Sequence, residues 1–171
     1  RTKHLLEQLL ALARHDADKA CEAVVVSLDG IVKDVVADLQ PEAERKGIDL
    51  GFELIEPVAA RGEPIMVTTM VRNLVDNAVR FTPTGGRVDI RVHREGDEAV
   101  LQITDSGPGI PPGDIDRIFE PFFRGSRPTE DGTGLGLSIV KRIGHQLGGS
   151  IVLENICRPP LTGLPRTARL P

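Results

Sequence analysis

Two asparagines and an arginine recur at helical spacing near the middle of the chain. Asn73, Asn77 and Arg80 are four and three residues apart, which places them on one face of a helix. The remaining face is apolar, with Val71, Leu74, Val75 and Ala78. An asparagine offers a carbonyl oxygen to a hard cation such as Mg²⁺, and an arginine can bind the phosphates that supply most other ligands. The solvated side of an ordinary amphipathic helix shows the same spacing, so this pattern alone leaves both interpretations open.

A carboxylate stands at the end of a predicted strand, just before two glycines. The run from Asp105 to Ile110 reads DSGPGI, and glycine permits backbone torsions that are closed to other residues. An ionised carboxylate accepts hydrogen bonds and donates none, so Asp105 suits the exocyclic amine of adenine and rejects the carbonyl of guanine. The run therefore fits the mouth of a pocket, and an ordinary Asp-Gly turn is the alternative.

A glycine-rich run directly precedes a predicted helix. Residues Gly132 to Leu137 read GTGLGL, and the helix follows over 138–147. Free N–H groups and the dipole at a helix N-terminus favour an anion such as a triphosphate. The spacing differs from a P-loop, and no strand precedes the run as in a dinucleotide fingerprint. Glycine-rich loops are common, so this run is weak evidence when taken singly.

The elements that must position these segments follow from periodicity and turn residues. Helices are predicted from Ser27, a suitable N-cap, to Pro41, which is expected to kink or end the helix, and over 65–81 after a turn at 61–64. Strands are predicted at 24–26, 48–55, 88–92, 100–103, 150–154 and 167–170. Glycines and prolines interrupt 157–166, so only 167–170 is expected to pair at that end. Interleaved helices and hairpins favour an α/β (α+β) two-layer sandwich with a mixed sheet and helices on one face.

The N-terminal segment carries a leucine stripe at spacings of three and four: Leu5, Leu6, Leu9, Leu10, Leu12 and Ala13. This predicts an amphipathic helix that needs a partner, ended by turn-like residues 14–23. Two parts are therefore expected, a helical end and linker over 1–23 and one domain over 24–171.

Composition narrows the function classes. The 171 residues are 40% hydrophobic and 27% charged, which suits one globular domain with a short appendage. A net charge of −4 and dispersed Lys and Arg argue against a nucleic-acid partner. Cys21 and Cys157 stand alone and are expected to be free thiols. No apolar stretch approaches the roughly 20 residues of a membrane helix, so we expect a soluble piece of a longer protein.

Together and in this order, the segments resemble the catalytic domain of sensor histidine kinases and, more broadly, the superfamily with the Bergerat ATP-binding fold. Residues 73–83 look like the asparagine box, 105–110 like the first glycine box, 118–124 like the phenylalanine box and 132–137 like the second glycine box. The resemblance runs from Ile48 to Glu154, and the segment upstream looks like the end of the dimerisation helices.

The resemblance implies ATP and Mg²⁺ as cofactors and a role for each box. Asn77 would bind Mg²⁺, the catalytic residues Asn73 and Arg80 would approach the phosphates, and residues 124–132 would form the ATP lid. Phe81 would lie over the nucleotide and Asp105 would recognise adenine. The full set of implied nucleotide-binding residues is Asn73, Asn77, Arg80, Phe81, Asp105, Gly107, Gly109, Ile110, Phe119, Arg124, Thr133, Gly134, Leu135, Gly136 and Leu137.

One position separates the branches of this superfamily. Its topoisomerase, mismatch-repair and chaperone ATPases carry a Glu four residues before the Mg²⁺ asparagine as the base that activates water, whereas this chain has Asn73. An amide cannot take a proton at neutral pH, so the γ-phosphoryl group is kept for another acceptor. A kinase is therefore favoured over a conformational ATPase, and the intact boxes disfavour a degenerate ATP-binding module. The leucine-striped N-terminal helix fits a dimeric kinase better than an anti-sigma-like partner-binding module.

The acceptor histidine is expected outside this chain. In the family it lies on the first of two hairpin helices and precedes a Leu-Arg-x-Pro-like run, whereas His15 precedes Asp16-Ala17-Asp18-Lys19. His4 is a weaker candidate, and His93 and His145 are expected to be surface or packing residues. The resemblance implies a homodimeric two-component kinase at the bacterial inner membrane, with this part in the cytoplasm. Its implied partners are its own dimerisation and phosphoacceptor domain and a response regulator.

Overall fold

The structure, a computed structural model, describes residues 24–125, 133–157, 162–163 and 165–170. Within these residues a five-stranded sheet forms one layer, and three helices form the other. With elements numbered along the chain, the helices are α1 (Leu28–Arg45), α2 (Pro64–Phe81) and α3 (Gly136–Gln146). The sheet contains, in spatial order, β2 (Asp49–Ile55), β4 (Arg87–Glu95), β5 (Glu98–Asp105), β9 (Pro165–Leu170) and β6 (Ser150–Leu153). Two short antiparallel pairs lie outside it: β1 (Val24–Ser27) with β3 (Ala59–Gly62), and β7 (Ile156–Cys157) with β8 (Thr162–Gly163).

The sheet is mixed, as predicted. β2 runs parallel to β4, and the other neighbouring strands run antiparallel. Alternate residues of the two central strands are buried with the helices in one core: Val88, Ile90, Val92, Leu101 and Ile103. The α2 residues predicted to be apolar packing positions, Val71, Leu74, Val75 and Ala78, are all inaccessible to solvent. The predicted two-layer α/β sandwich is thereby confirmed.

Helix α1 begins as predicted and ends later than predicted. The Ser27 hydroxyl accepts a hydrogen bond from the Gly30 amide at 3.2 Å, which makes Ser27 the N-cap. Pro41 does not end the helix, which continues to Arg45. Pro41 has no N–H to donate to the Ala37 carbonyl four residues earlier. Because Ala37 and Pro41 are both exposed, water can donate a hydrogen bond to that carbonyl instead. Burial of Ala43 in the core holds the last turn in place.

The predicted turn at 61–64 is wrong in its first half. Arg61 and Gly62 belong to β3, where they pair with Val25 and Val24 of β1. The two buried positions of β3 are Ala60 and Gly62, so this four-residue strand has no large apolar side chain and its composition looks like a turn. Glycine suits position 62 of this strand because a larger residue would be crowded: its β-carbon would lie 3.0 Å from side-chain atoms of Val67 and Leu147.

The C-terminal region pairs more widely than predicted. β9 includes the predicted 167–170 but begins at Pro165, and it lies inside the sheet between β5 and β6 rather than at its margin. The expectation that nothing else pairs there is also wrong, because Ile156 and Cys157 pair with Gly163 and Thr162. The leucine-striped segment, the boundary at residue 23, His4, His15 and Cys21 lie outside the described residues and stay predictions.

Candidate functional site

Asn73 and Asn77 of α2 meet the start of α3. Asn73 is only 3% exposed, and its Nδ2 donates to the Thr69 carbonyl at 2.8 Å. A β-carbon at position 136 would lie 3.1 Å from Asn73 Oδ1 and 3.5 Å from Asn77 Nδ2. The glycine therefore lets the backbone of α3 approach both amides. A purely solvated helix face does not bury an amide, so that interpretation is wrong for Asn73.

The beginning of α3 has the form of an anion site. No side chain caps its N-terminus at Leu135, and the Thr133 hydroxyl accepts a bond from the Leu135 amide at 3.3 Å. The side chains of Leu135 and Leu137 pack against the core. The backbone N–H groups of a helix N-terminus and the helix dipole favour negative charge directly beside Asn73 and Asn77.

Arg80 and Phe81 are the last two residues of α2, about one turn beyond Asn77. Arg80 Nη2 is 3.4 Å from Asp76 Oδ2 in a half-buried ion pair one turn apart. Phe81 keeps 43% of its surface exposed. The sequence placed Arg80 on the face of Asn73 and Asn77, and the structure shows that it also has an anionic neighbour on its own helix. Arg80 is thus positioned near the site and held by an intrahelical pair.

Asp105 closes β5 and is buried, with 2% exposure. Its Oδ1 accepts from the Gly107 amide at 2.9 Å. A β-carbon at Gly107 would lie 2.7 Å from that oxygen and 2.9 Å from the Phe81 carbonyl oxygen. Glycine is thus the residue that lets the loop after β5 touch the end of α2, and the first glycine run and the asparagine helix form one site.

The next turn of this loop is held by a residue that the sequence analysis missed. Asn155 accepts from the Ile110 amide at 3.0 Å through Oδ1 and donates to the Ile110 carbonyl at 2.8 Å through Nδ2. Gly109 has φ +71°, and a β-carbon there would lie 2.7 Å from Asn155 Oδ1. A lone asparagine after a strand carries no motif, and its preference for turns is the one signal that the sequence offered.

The aromatic segment contacts the second glycine run. The Phe122 amide donates to the Gly134 carbonyl at 3.0 Å, and a β-carbon at Gly134 would lie 2.7 Å from the Phe122 backbone. Both residues have positive φ, 64° for Phe122 and 71° for Gly134. Lys141 of α3 lies 5.1 Å above the Phe119 ring. Arg124 is exposed nearby, whereas Gly132 and the predicted lid residues 126–131 lie outside the described part of the chain.

The donor set suits a cation that is shared with phosphates. Asn77 is half-buried and its amide lies beside the α3 N-terminus. Within the described residues, no group of three or more His, Cys, Asp and Glu side chains is placed to hold a metal. A Mg²⁺ ion bound here would rely on one amide oxygen, on ligand phosphates and on water, which is the coordination that Mg²⁺ favours with nucleotides.

Comparison with known proteins agrees with this geometry. Residues 62–163 match the family described as histidine kinase-, DNA gyrase B- and HSP90-like ATPases. The chain is 41% identical over 155 residues to the sensor protein kinase PmrB of Pseudomonas aeruginosa, covering 90% of this chain and 32% of that protein. It therefore spans about a third of that relative's length.

Two solved structures show the same fold. The mycobacterial sensor histidine kinase MprB is 30% identical with a TM-score of 0.76, covering 87% of this chain and 97% of that one. Full-length ShkA in complex with AMPPNP is 26% identical with a TM-score of 0.81, covering 98% of this chain and 35% of that one. Within the described ranges, no helix is long and apolar enough to cross a membrane.

Proposed function

This chain belongs to the histidine kinase-, DNA gyrase B- and HSP90-like ATPase family, as the catalytic domain of a sensor histidine kinase, and we propose how it works: Mg²⁺-ATP binds between α2, the loop after β5 and the start of α3. The γ-phosphoryl group then passes to a histidine on a dimerisation domain outside this chain. The single observation that carries the proposal is the meeting of Asn73 and Asn77 with Gly136 at an uncapped helix N-terminus.

Each part of the site suits one part of the nucleotide. Asp105 would accept from the adenine amine, while Gly107, Gly109 and Ile110 shape the wall beside it. Phe81 would cover the base and ribose. The α3 N-terminus, with Thr133, Gly134 and Gly136, would bind the phosphates that Arg80 also approaches. Phe119 and Arg124 would border the site on the side of the aromatic segment.

Asn77 would hold Mg²⁺, which when bound neutralises phosphate charge during transfer. An imidazole nitrogen of the acceptor histidine attacks the γ-phosphorus, the bond to the β–γ bridging oxygen breaks, and ADP departs. Asn73 lies beside Gly136 and carries an amide, which cannot deprotonate water. Water therefore lacks a general base at this position, and the histidine is the favoured nucleophile.

In the whole protein the phosphoryl group would continue from the histidine to an aspartate of a response regulator. Two copies would associate through the dimerisation helices, and the part described would lie on the cytoplasmic side of the inner membrane. These proposals follow from the resemblance to sensor histidine kinases; solved structures of that fold include ThkA in complex with the response regulator protein TrrA and the cytoplasmic segment of QseC.

The test is incubation of this chain with γ-labelled Mg²⁺-ATP, with and without a separate dimerisation domain that carries a histidine. We expect nucleotide binding without labelled protein or released phosphate, and acid-labile label on the added domain. Asn77→Asp should abolish most transfer, because it places a new negative charge against the triphosphate. Gln40→Glu, which also replaces a side-chain amide by a carboxylate but on α1, is the matched control, and this variant should transfer phosphate normally.

Two results would contradict this proposal. Rapid phosphate release that Asn73→Ala abolishes would show a conformational ATPase. Label on His15 without an added domain would show that the acceptor lies within the chain.

A further inference from the structure

Lys46 lies between α1 and the end of α2. Its backbone amide donates to the Glu42 carbonyl at 3.2 Å as the C-cap of α1. Its Nζ donates to two carbonyl oxygens of the last turn of α2, Val79 at 3.0 Å and Arg80 at 2.6 Å. The ammonium is partly buried, so the two bonds are less exposed to competition from water than a surface ion pair.

The last carbonyls of a helix have no intrahelical donor, and those of Ala78, Val79 and Arg80 in α2 accept hydrogen bonds from Thr82 and Lys46. Ala78 accepts from the Thr82 amide at 3.1 Å and from the Thr82 hydroxyl at 2.7 Å. Lys46 Nζ donates to the next two carbonyls, those of Val79 and Arg80. Its positive charge complements the negative end of the helix dipole. Charge-assisted bonds are stronger than neutral ones, so the two bonds from Lys46 restrain the carbonyls of Val79 and Arg80.

That turn carries the residues that would face the nucleotide. Arg80 and Phe81 are its last two members, and the Phe81 carbonyl borders Gly107 in the loop after Asp105. The segment after Lys46 is tied to the same region, because the Gly47 carbonyl accepts from the Gly85 amide at 3.0 Å. Displacement of the last turn of α2 would therefore move the phosphate side and the adenine side together.

We propose that Lys46 is a positioning residue for nucleotide binding, which sets the orientation of Arg80 and Phe81 without touching the ligand. The inference rests on the proposed function, since it assumes that ATP binds against these two residues. A purely structural lysine would affect the stability of the fold and leave the affinity of the folded protein unchanged.

The experiment is calorimetric titration of the 171-residue chain with Mg²⁺-ATP, well below the melting temperature of each variant. Lys46→Met should weaken binding about tenfold, because nucleotide binding would then have to order the last turn of α2. Lys46→Arg, which keeps a cationic donor, should restore most of the affinity. Arg45→Met removes one charge from the exposed neighbouring position and should bind like the wild type. Amide chemical shifts of Arg80, Phe81 and Thr82 should change in Lys46→Met without nucleotide.

Wild-type affinity in folded Lys46→Met would overturn the inference, whereas absence of ATP binding by the wild type would overturn the proposed function instead. If Lys46→Met does not fold, Lys46→Gln, with a neutral donor, replaces it. Weakened binding by that variant supports the positioning role, and unchanged binding contradicts it.

Discussion

At the scale of single residues, the proposed function depends on three side-chain choices in the candidate site. Asp105 offers only acceptors, Asn73 offers an amide where related ATPases have a carboxylate, and Gly136 offers no side chain at all. Each choice has a structural counterpart: Asp105 is buried, Asn73 is buried, and the place of the missing β-carbon lies within 3.5 Å of two amides. Exchanges of one polar group for another should therefore have larger effects here than elsewhere.

Asp105→Asn should remove the discrimination between adenine and guanine. The wild type should bind Mg²⁺-ATP at least about tenfold more tightly than Mg²⁺-GTP, because the carboxylate faces a donor in adenine and an acceptor in guanine. Titration with both nucleotides measures the ratio. Asp97→Asn, in the exposed turn between β4 and β5, is the control. A preference that survives Asp105→Asn would remove this residue from the adenine role.

Asn155→Asp should loosen the loop after Asp105. The variant keeps the acceptor for the Ile110 amide and sets a carboxylate against the Ile110 carbonyl, where the amide now donates at 2.8 Å. We expect faster hydrogen exchange at the Ile110 amide and ATP binding weaker by about 1 to 2 kcal/mol. Glu154→Gln, the neighbouring exposed position, should leave both unchanged. Unaltered exchange at Ile110 would show that the loop holds its shape without Asn155.

At the scale of elements, sequence periodicity predicted the helices and strands whose apolar residues are buried together. It did not predict features that depend on a single hydrogen-bonded contact. Helix α2 was predicted correctly because its apolar residues at helical spacing, from Val67 to Val79, enter the core. Strands β4 and β5 were predicted because their alternation matches one buried face. Helix α1 passes Pro41 because tertiary burial of Ala43 outweighs a local helix breaker. The roles of Lys46 and Asn155 could not be predicted, since each depends on backbone groups distant in the chain and on no repeating pattern.

The first turn of α1 should show a pH dependence of its own. The pKa of the Asp29 carboxyl is held below 3.8, first by the hydrogen bond from the Ser27 hydroxyl, and further by bonds from Lys33 and the Val58 amide. The ionised form is thus favoured in the folded state. Its stabilisation is complete above pH 3.8 and is lost as the pH falls through the lower folded value.

Urea unfolding of the wild type and of Asp29→Asn checks this pH dependence. The variant should be less stable by about 1 kcal/mol at pH 7, and the difference should shrink at pH 3. Asp34→Asn, exposed on the same helix, should show little difference at either pH. A destabilisation that is equal at both values would contradict the assignment.

At the scale of the whole molecule, β9 joins β6 to the other strands of the sheet. Leu170 is 1% exposed and pairs with Ala99 of β5, while Ala168 pairs with both Leu101 and Ile151. β6, which follows α3 and leads to Asn155, reaches the rest of the sheet only through β9 among the described strands. We therefore expect the proposed nucleotide site to depend on β9, a strand that contributes no residue to it.

Leu170→Ala should destabilise the domain by about 2 to 5 kcal/mol, the usual cost of removing a fully buried leucine side chain. Val152→Ala, on neighbouring β6 and 40% exposed, should cost less than about 1 kcal/mol. Chemical denaturation of both variants gives the comparison. Equal small losses would show that β9 is not part of the cooperative unit.

The position of β9 also bears on how the protein is made. After β6 has left the ribosome and before residues 165–170 follow, β5 and β6 have no strand between them, so both present unpaired backbone edges. Strand edges of this kind are open to pairing with other nascent chains. Chaperone binding to stalled chains should therefore be strongest after β6 emerges from the exit tunnel, and it should fall once β9 has followed.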